Sequence, residues 1–376
     1  MPAASVSRRI LLKGAMLAGA AVAVPGLAAC GGDESPAGSG TDASGRKIVD
    51  VTLGLANTIL NPSICYYWIG LSPKLNWYRD EGIDATWTGF NGATVLLTAM
   101  QQGSVQVGVG FQDPMFQAIA KGAAQPYKVF FNATYGILYA FGVKPDSPVT
   151  DFDQLKGKTL SVQTLGSASH YYAQKVLESV GLNPQTDVNF VPLYGPAAAV
   201  ALDEGKIDCI VSFDTDFASN RAIYGHDIRL LDQPDFIKKL RVGNSLGSST
   251  KFLQDNPDAV VGLGRVGAKA EVFTATNPDA ALRLHFEMYP ETLPSATSVD
   301  DAVKQFLPGL EERMKIVLPS AGLAIGEFPA DGWRDYLDFQ GVTGVDPNQY
   351  STNDFIERIN DFDRAQVETL ARDFTF

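Results

Sequence analysis

Hydrophobic and polar residues alternate along residues 48–56 in the way that is typical of a β-strand with one buried face. The same pattern returns in residues 83–87 and 105–110. Each of these segments is followed by a stretch with helical spacing of its apolar residues. The predicted helices end at Gly82, Gly103 and Gly122. The first part of the chain therefore predicts an alternation of strands and helices.

The stretch between the first two predicted strands has the apolar spacing of a buried helix, with Pro73 as its expected kink. Its apolar stripe consists of Ile64, Trp68, Leu71, Leu75 and Tyr78. Tyr66 and Tyr67 lie off this stripe. We therefore expect these two side chains to face away from the core, toward a cleft.

Two further strands, at residues 127–136 and 138–144, are predicted to leave this first lobe. The alternation of strands and helices then restarts and continues to Asp214. From residue 251 onward every segment predicts a helix, and Asn-Pro pairs at 256 and 277 mark two helix starts.

Alternation of this kind is typical of parallel sheets with right-handed crossovers. We therefore predict an α/β fold with two lobes, each a mainly parallel sheet flanked by helices, joined by a hinge around a central cleft. The first lobe is predicted to contain residues 47–141 and 243–376, and the second lobe residues 142–242.

The chain begins with two adjacent arginines, Arg8 and Arg9, ahead of a short stretch rich in alanine and glycine. Residues 7–13 resemble a twin-arginine export motif, and residues 27–30 resemble a bacterial lipobox in which Cys30 is acylated. We expect residues 1–29 to be a cleaved signal peptide and residues 30–46, which are rich in glycine and serine, to be a flexible tether. The protein is thus expected to be exported and held by lipid on the outer face of the cell membrane.

The 376-residue chain carries a net charge of −12, which makes nucleic acid an improbable partner because no basic patch offsets phosphate repulsion. The three histidines are too scattered for a metal site, so no metal and no cofactor is expected. Besides Cys30, the chain has Cys65 and Cys209. We expect both to be free buried thiols, and a disulfide between them is the less favoured alternative.

Residues 151–184, 200–214 and 250–260 look like the second lobe and return helix of solute-binding proteins of the sulfonate, nitrate and thiamine-pyrimidine type, and residues 91–110 are similar too. The resemblance covers residues 48–345. It implies two α/β lobes that close on a small molecule and deliver it to the transmembrane subunits of an ABC permease. We expect a monomer whose partners are that permease and, through the lipid anchor alone, the membrane.

In sheets of this kind, ligands bind beyond the carboxyl ends of the strands. Asp113 fits a plain helix N-cap better than a ligand contact, and Asp214 fits a cap and a ligand contact equally well. His170 fits an ordinary surface or cleft histidine better than an acid or base. The candidate ligand-binding residues follow the predicted strands: Asn57, Tyr66, Tyr67, Phe90, Asn91, Thr94, Phe111, Gln112, Asp113, Tyr139, Gly166, Ser167, Ser169, His170, Tyr194 and Asp214.

These loops are rich in aromatic residues and contain neither arginine nor lysine. The sequence thus favours a planar heterocycle, such as a thiamine-pyrimidine or flavin-like compound, over a bare anion. A sulfonate is the next candidate, and it would depend on the backbone N–H groups of residues 166–169.

Two other functional classes stay open at this point. Pyrimidine-synthase enzymes share the fold, but they carry a cysteine cluster that this sequence lacks. No catalytic residues are assigned, and we expect the protein not to be an enzyme. A lipoprotein that senses a solute for a signalling partner would show the same two lobes, so the sequence does not distinguish sensing from transport.

Overall fold

The computed structural model describes residues 48–57, 60–224 and 227–376. The predicted signal segment, the tether and Cys30 lie outside these residues. Within them the strands, in chain order, are β1 (Val49–Leu55), β2 (Ile83–Gly89), β3 (Val107–Val109), β4 (Tyr127–Asn132), β5 (Tyr139–Val143), β6 (Thr159–Val162), β7 (Asn189–Pro192), β8 (Cys209–Phe213), β9 (Arg229–Leu230) and β10 (Ser245–Ser249).

The α-helices of the described residues surround these strands. They are α1 (Trp77–Asp80), α2 (Ala93–Gln101), α3 (Gln112–Ala120), α4 (Ala168–Ser179), α5 (Pro196–Asp203), α6 (Asp214–Tyr224), α7 (Asp235–Lys238), α8 (Thr250–Asp255), α9 (Pro257–Thr276), α10 (Pro278–Met288), α11 (Val299–Val317), α12 (Ala330–Phe339), α13 (Ile356–Ile359) and α14 (Arg364–Arg372). In the described part of the chain, none of them has the length and apolar character needed to cross a membrane.

Two five-stranded sheets form the two lobes, in the orders β2-β1-β3-β10-β4 and β7-β6-β8-β5-β9. In each sheet four strands run in one direction and one strand runs against them. The opposed strands are β10 in the first sheet and β5 in the second. They are the strands next to the two places where the chain crosses between the lobes. The two sheets confirm the predicted two-lobed α/β architecture.

The two crossing segments are hydrogen-bonded to each other. Thr134 accepts the Gly243 N–H at its carbonyl (2.9 Å) and the Asn244 N–H at its hydroxyl (2.7 Å). Gly243 is required here because a Cβ would collide with the Thr134 side chain and with the carbonyl of Gly136. The hinge region is therefore a paired backbone and not two independent linkers.

Residues 62–71 form two short 3-10 helices, Pro62–Tyr67 and Ile69–Leu71, where the sequence predicted one long helix. Ile64 has non-helical dihedrals, and Ser72, which precedes Pro73, is extended. The segment packs against α9, α10 and α11, so it is buried on every side. A single apolar stripe therefore does not describe it, and that prediction was wrong.

Trp68 lies at the centre of the first lobe and is fully buried. Its indole N–H donates to His285 Nδ1 (2.9 Å), and His285 Nε2 lies 2.9 Å from the Thr292 hydroxyl. Because the Thr292 hydroxyl donates to the Tyr289 carbonyl, the imidazole proton is on Nε2. Burial lowers the pKa of His285 to about 3, so this histidine is a neutral structural group.

The two cysteines in the described residues, Cys65 and Cys209, are free and buried, as the sequence predicted. They belong to the cores of different lobes. Burial raises the pKa of both thiols, which keeps them protonated and unreactive.

Candidate functional site

A cavity of about 230 Å³ lies between the two sheets, where the carboxyl ends of the strands of both lobes converge. Residues that follow β1, β2 and β3 form its wall on the first lobe, and residues that follow β6 and β8 form its wall on the second. The hinge contributes Asn244, and helix α11 contributes Arg313. In α/β sheets, ligands bind beyond the carboxyl ends of the strands, so this cavity is the expected ligand site.

Carboxamide side chains are the commonest polar groups of this cavity. They are Asn57, Asn61, Asn91, Gln117, Gln163 and Asn244. Each amide offers two N–H donors and one acceptor oxygen. Asn61 is held in place as the N-cap of the 3-10 helix at residues 62–67, where its Oδ1 accepts the Ser63 N–H (2.9 Å). An amide lining of this kind recognises uncharged groups that both donate and accept hydrogen bonds.

An aromatic surface lines the second-lobe side of the cavity. It consists of Tyr139 and Phe213, whose ring centroids are 4.8 Å apart with a 32° tilt. Tyr172 supports Tyr139 from behind at 5.6 Å. Burial raises the pKa of Tyr139, which keeps its phenol neutral at physiological pH. These rings provide a stacking surface for a flat ligand.

Arg313 is the charged group that the loop-by-loop sequence argument missed. Its guanidinium is 2% exposed, and it is paired with the carboxylate of Asp214 through Nε (3.2 Å to Oδ2) and Nη2. Asp214 is the first residue of α6, and its Oδ1 also accepts the Thr215 N–H (2.8 Å). The positive charge in the cleft is therefore matched by a carboxylate from the other lobe.

Asp113 lies in the cavity wall at the second position of α3, and Phe111 occupies the N-cap position for which Asp113 was a candidate. Its Oδ1 accepts hydrogen bonds from the Tyr336 hydroxyl (2.5 Å) and Gln340 Nε2 (2.8 Å). Burial raises the pKa of Asp113, and these two donors oppose the shift. The carboxyl is thus fixed by Tyr336 of α12 and by Gln340, which directly follows that helix.

The loop before α4 enters the cleft at Gly166 and Ser167. Ser167 caps the helix by accepting the His170 N–H (3.3 Å), and the imidazole Nδ1 of His170 accepts the Gly166 N–H (2.8 Å). Desolvation lowers the pKa of His170, so it is a neutral acceptor that shapes this turn. The start of the helix leaves the N–H groups of Ala168 and Ser169 without an intrahelical partner.

The cavity wall contains seven of the residues that the sequence nominated: Asn57, Asn91, Thr94, Asp113, Tyr139, Gly166 and Ser167. The other nominated residues lie behind it or beside it. They are Tyr66, Tyr67, Phe90, Phe111, Gln112, Ser169, His170, Tyr194 and Asp214. Phe111 is fully buried in the first lobe, and Tyr194 is hydrogen-bonded to Asp216.

Tyr66 and Tyr67 are core residues, 1% and 5% exposed, and the expectation that they face the cleft was wrong. The reason is the 3-10 geometry of their segment, which is enclosed by α9, α10 and α11. Their rings lie 4.4 Å apart, and burial raises the pKa of both phenols. These rings stabilise the lobe directly behind Ile64, which does line the cavity.

The described residues therefore define a two-lobed protein of the periplasmic-binding-protein fold with a small-molecule cleft. The sequence profile of the NMT1/THI5-like family matches residues 69–281, which is more than half of the chain. The protein belongs to this family. A search of curated protein sequences finds no match.

Solved structures of the same fold come from distant relatives. A protein of Bordetella bronchiseptica RB50 has 20% identity and a TM-score of 0.61, over 83% of this chain and 97% of that one. The alkanesulfonate-binding protein of Xanthomonas axonopodis pv. citri, bound to MOPS, has 18% identity and a TM-score of 0.56, over 79% and 94%. The desulfurization enzyme DSZB has 16% identity and a TM-score of 0.50, over 82% and 98%.

Proposed function

We propose that the protein is the solute-binding component of an ABC importer and that it captures a small, planar, uncharged heterocycle between its lobes. The observation that carries the proposal is the cleft itself, whose wall combines six carboxamides with the ring surface of Tyr139 and Phe213. Family membership and the sulfonate-binding relative support the transport class.

The balance of charge in the cleft favours a neutral ligand over an anion. Arg313 is occupied by Asp214, which lies beside the wall, and Asp113 is an acidic side chain of the wall itself. An anion would have to compete with a carboxylate that is already in bidentate contact, whereas a heterocycle with ring nitrogens and amino groups finds partners among the amides. A thiamine-pyrimidine or flavin-like compound has this chemistry.

A sulfonate remains the second candidate, and a specific observation favours it. Arg313 lines the cavity, and the Xanthomonas relative was solved with MOPS, a sulfonate, in place. Mass spectrometry of the small molecules that denaturation releases from the purified protein separates the two ligand classes. A heterocycle supports the proposal, and a sulfonate replaces it with the second candidate.

We expect Tyr139→Leu to weaken binding of the released heterocycle by about 1–3 kcal/mol, or about fivefold to 160-fold, because the variant loses the stacking surface. Isothermal titration with that compound measures the change. Tyr66→Phe is a matched control that removes a buried hydroxyl outside the cavity wall, and it should bind like wild type. Wild-type affinity in Tyr139→Leu would contradict stacking in the cleft.

We propose a binding role and not an enzymatic one because of the residues that line the cavity. Among the described residues that line it there is no cysteine and no histidine, the nucleophile and base that the pyrimidine-synthase alternative would use. The carboxyl of Asp113 is engaged by Tyr336 and Gln340. The desulfurization enzyme shares the fold, and a fold hosts many functions.

The proposed location is the outer face of the membrane, through a lipid on Cys30. We expect Cys30→Ser to move the protein from the membrane fraction to the soluble fraction, because the variant cannot be acylated and the described residues contain no helix that could cross a membrane. Fractionation after a high-salt wash, with immunoblotting of both fractions, measures this. Complete retention of the serine variant in the membrane pellet would show that another element holds the protein.

A further inference from the structure

Arg313 and Asp214 come from different lobes and pair beside the cleft, where α11 packs against α6. Arg313 lies on α11, which packs on the 3-10 helix at residues 62–67 and on α10 in the first lobe. Asp214 begins α6, directly after β8 of the second sheet. The pair is therefore an ion pair between lobes and belongs to neither lobe alone.

Close packing fixes the two helices opposite each other. A Cβ at Gly309 of α11 would lie 2.7 Å from the Ser63 hydroxyl and 3.0 Å from the Thr215 carbonyl, so only glycine allows this approach of α11 to α6. Arg313 follows Gly309 by one helical turn. The contact between the helices thus brings the guanidinium to the carboxylate.

The guanidinium is at the same time part of the cavity wall. Its bonds to Asp214 use two of its five N–H donors, in the forked geometry that a sulfonate or carboxylate would also adopt. A solute anion that enters the cleft therefore meets a guanidinium whose bidentate edge is already occupied by a carboxylate.

We propose that Asp214 is a specificity-determining residue that occupies Arg313 and thereby prevents the cleft from binding small anions. The inference rests on the proposed solute-binding role of the cleft. In this proposal the Arg313–Asp214 pair selects neutral solutes over anionic ones. Removal of the Asp214 charge should then convert the cleft into an anion site centred on Arg313.

The test is a calorimetric titration with sodium methanesulfonate at constant ionic strength, set with sodium chloride. Asp214→Asn keeps a side-chain oxygen for the Thr215 N–H and should bind methanesulfonate at least about tenfold more tightly than wild type. The double variant Asp214→Asn/Arg313→Met should lose this gain. Equal affinity of wild type and Asp214→Asn would overturn the inference.

Asp216→Asn is the matched control for loss of a neighbouring acid. Asp216 is a buried acid on the same helix that is hydrogen-bonded to Ser212 (2.5 Å) and Tyr194. Its variant removes this carboxyl but leaves the Arg313–Asp214 pair intact, so it should gain little affinity for methanesulfonate. A gain as large as that of Asp214→Asn would show that loss of any acid on this helix has the same effect, and would overturn the assignment to Asp214.

Thermal melts give a second readout if Asp214→Asn is poorly folded. Methanesulfonate should raise its melting temperature and leave that of wild type unchanged, because the anion replaces the missing carboxylate. If methanesulfonate raises the melting temperature of neither Asp214→Asn nor Asp214→Ser, the inference is contradicted.

The proposed ligand class and the role of Asp214 can be refuted independently of each other. A wild-type protein that carries no heterocycle, together with an Asp214→Asn variant that gains the anion, refutes the ligand class and supports the role of Asp214.

Discussion

Replacement of Trp68 by alanine should lower the free energy of unfolding by about 3–5 kcal/mol, the range for large buried aromatic side chains. The indole is fully buried and contacts Trp87, His285 and Tyr289 at ring distances of 6.0, 5.7 and 6.4 Å. Its loss opens a cavity in the first lobe and leaves His285 Nδ1 without its donor. Urea unfolding followed by circular dichroism measures the change.

Trp68→Phe is the matched control, because it keeps a buried aromatic ring and removes the N–H donor with only part of the ring volume. Its expected loss is about 1–3 kcal/mol, the cost of an unsatisfied buried acceptor. Trp68 does not line the cavity, so the folded fraction of either variant should bind the ligand like wild type. A wild-type unfolding midpoint for Trp68→Ala would show that this segment does not form the core of the lobe.

The fold could be predicted because its signals are local. Strand alternation predicted β1, β2 and β3 closely, and the Asn-Pro pairs mark the starts of α9 and α10. At the second of these, the Asn277 side chain accepts the Ala280 N–H (3.0 Å), as a cap requires. The rule that ligands bind at strand ends nominated four residues that line the cavity in the structure: Asn57, Asn91, Thr94 and Gly166.

The charged part of the site could not be predicted in this way, because it depends on packing between distant segments. Arg313 and Asp214 are 99 residues apart, and Arg313 lies inside a long helix that follows no strand. Nothing in the local sequence distinguishes it from a solvated arginine. Tyr66 and Tyr67 were misplaced for a related reason, since three helices that come much later in the chain enclose them.

Glu271 is the other site of a large expected effect, and it lies within α9 in the core of the first lobe. It is 1% exposed, and among the described residues its Oε2 has no hydrogen-bond partner. Burial raises its pKa well above the ordinary value of 4.5. Above pH 4.5 the native protein therefore holds a proton that the unfolded chain releases, so stability falls as pH rises.

His285 has the opposite effect at low pH. Burial lowers its pKa from 6.5 to about 3, so below pH 6.5 the unfolded chain takes up a proton that the native protein does not. Its contribution is complete above pH 6.5 and is lost as pH falls toward 3. Each group changes the free energy of unfolding by up to about 1.4 kcal/mol per pH unit, and between pH 4.5 and 6.5 the two slopes oppose each other.

We expect Glu271→Gln to be more stable than wild type at pH 8, because the amide carries no charge to bury. The gain should shrink as pH falls and vanish near pH 4. His285→Gln is the control of opposite sign, and its difference from wild type should change only below pH 6.5. Urea unfolding from pH 4 to pH 8 measures both differences, in which the contributions of all other acids cancel. A Glu271→Gln profile parallel to that of wild type would show that the native carboxyl ionises at its ordinary pKa, and that a polar partner reaches it inside the lobe.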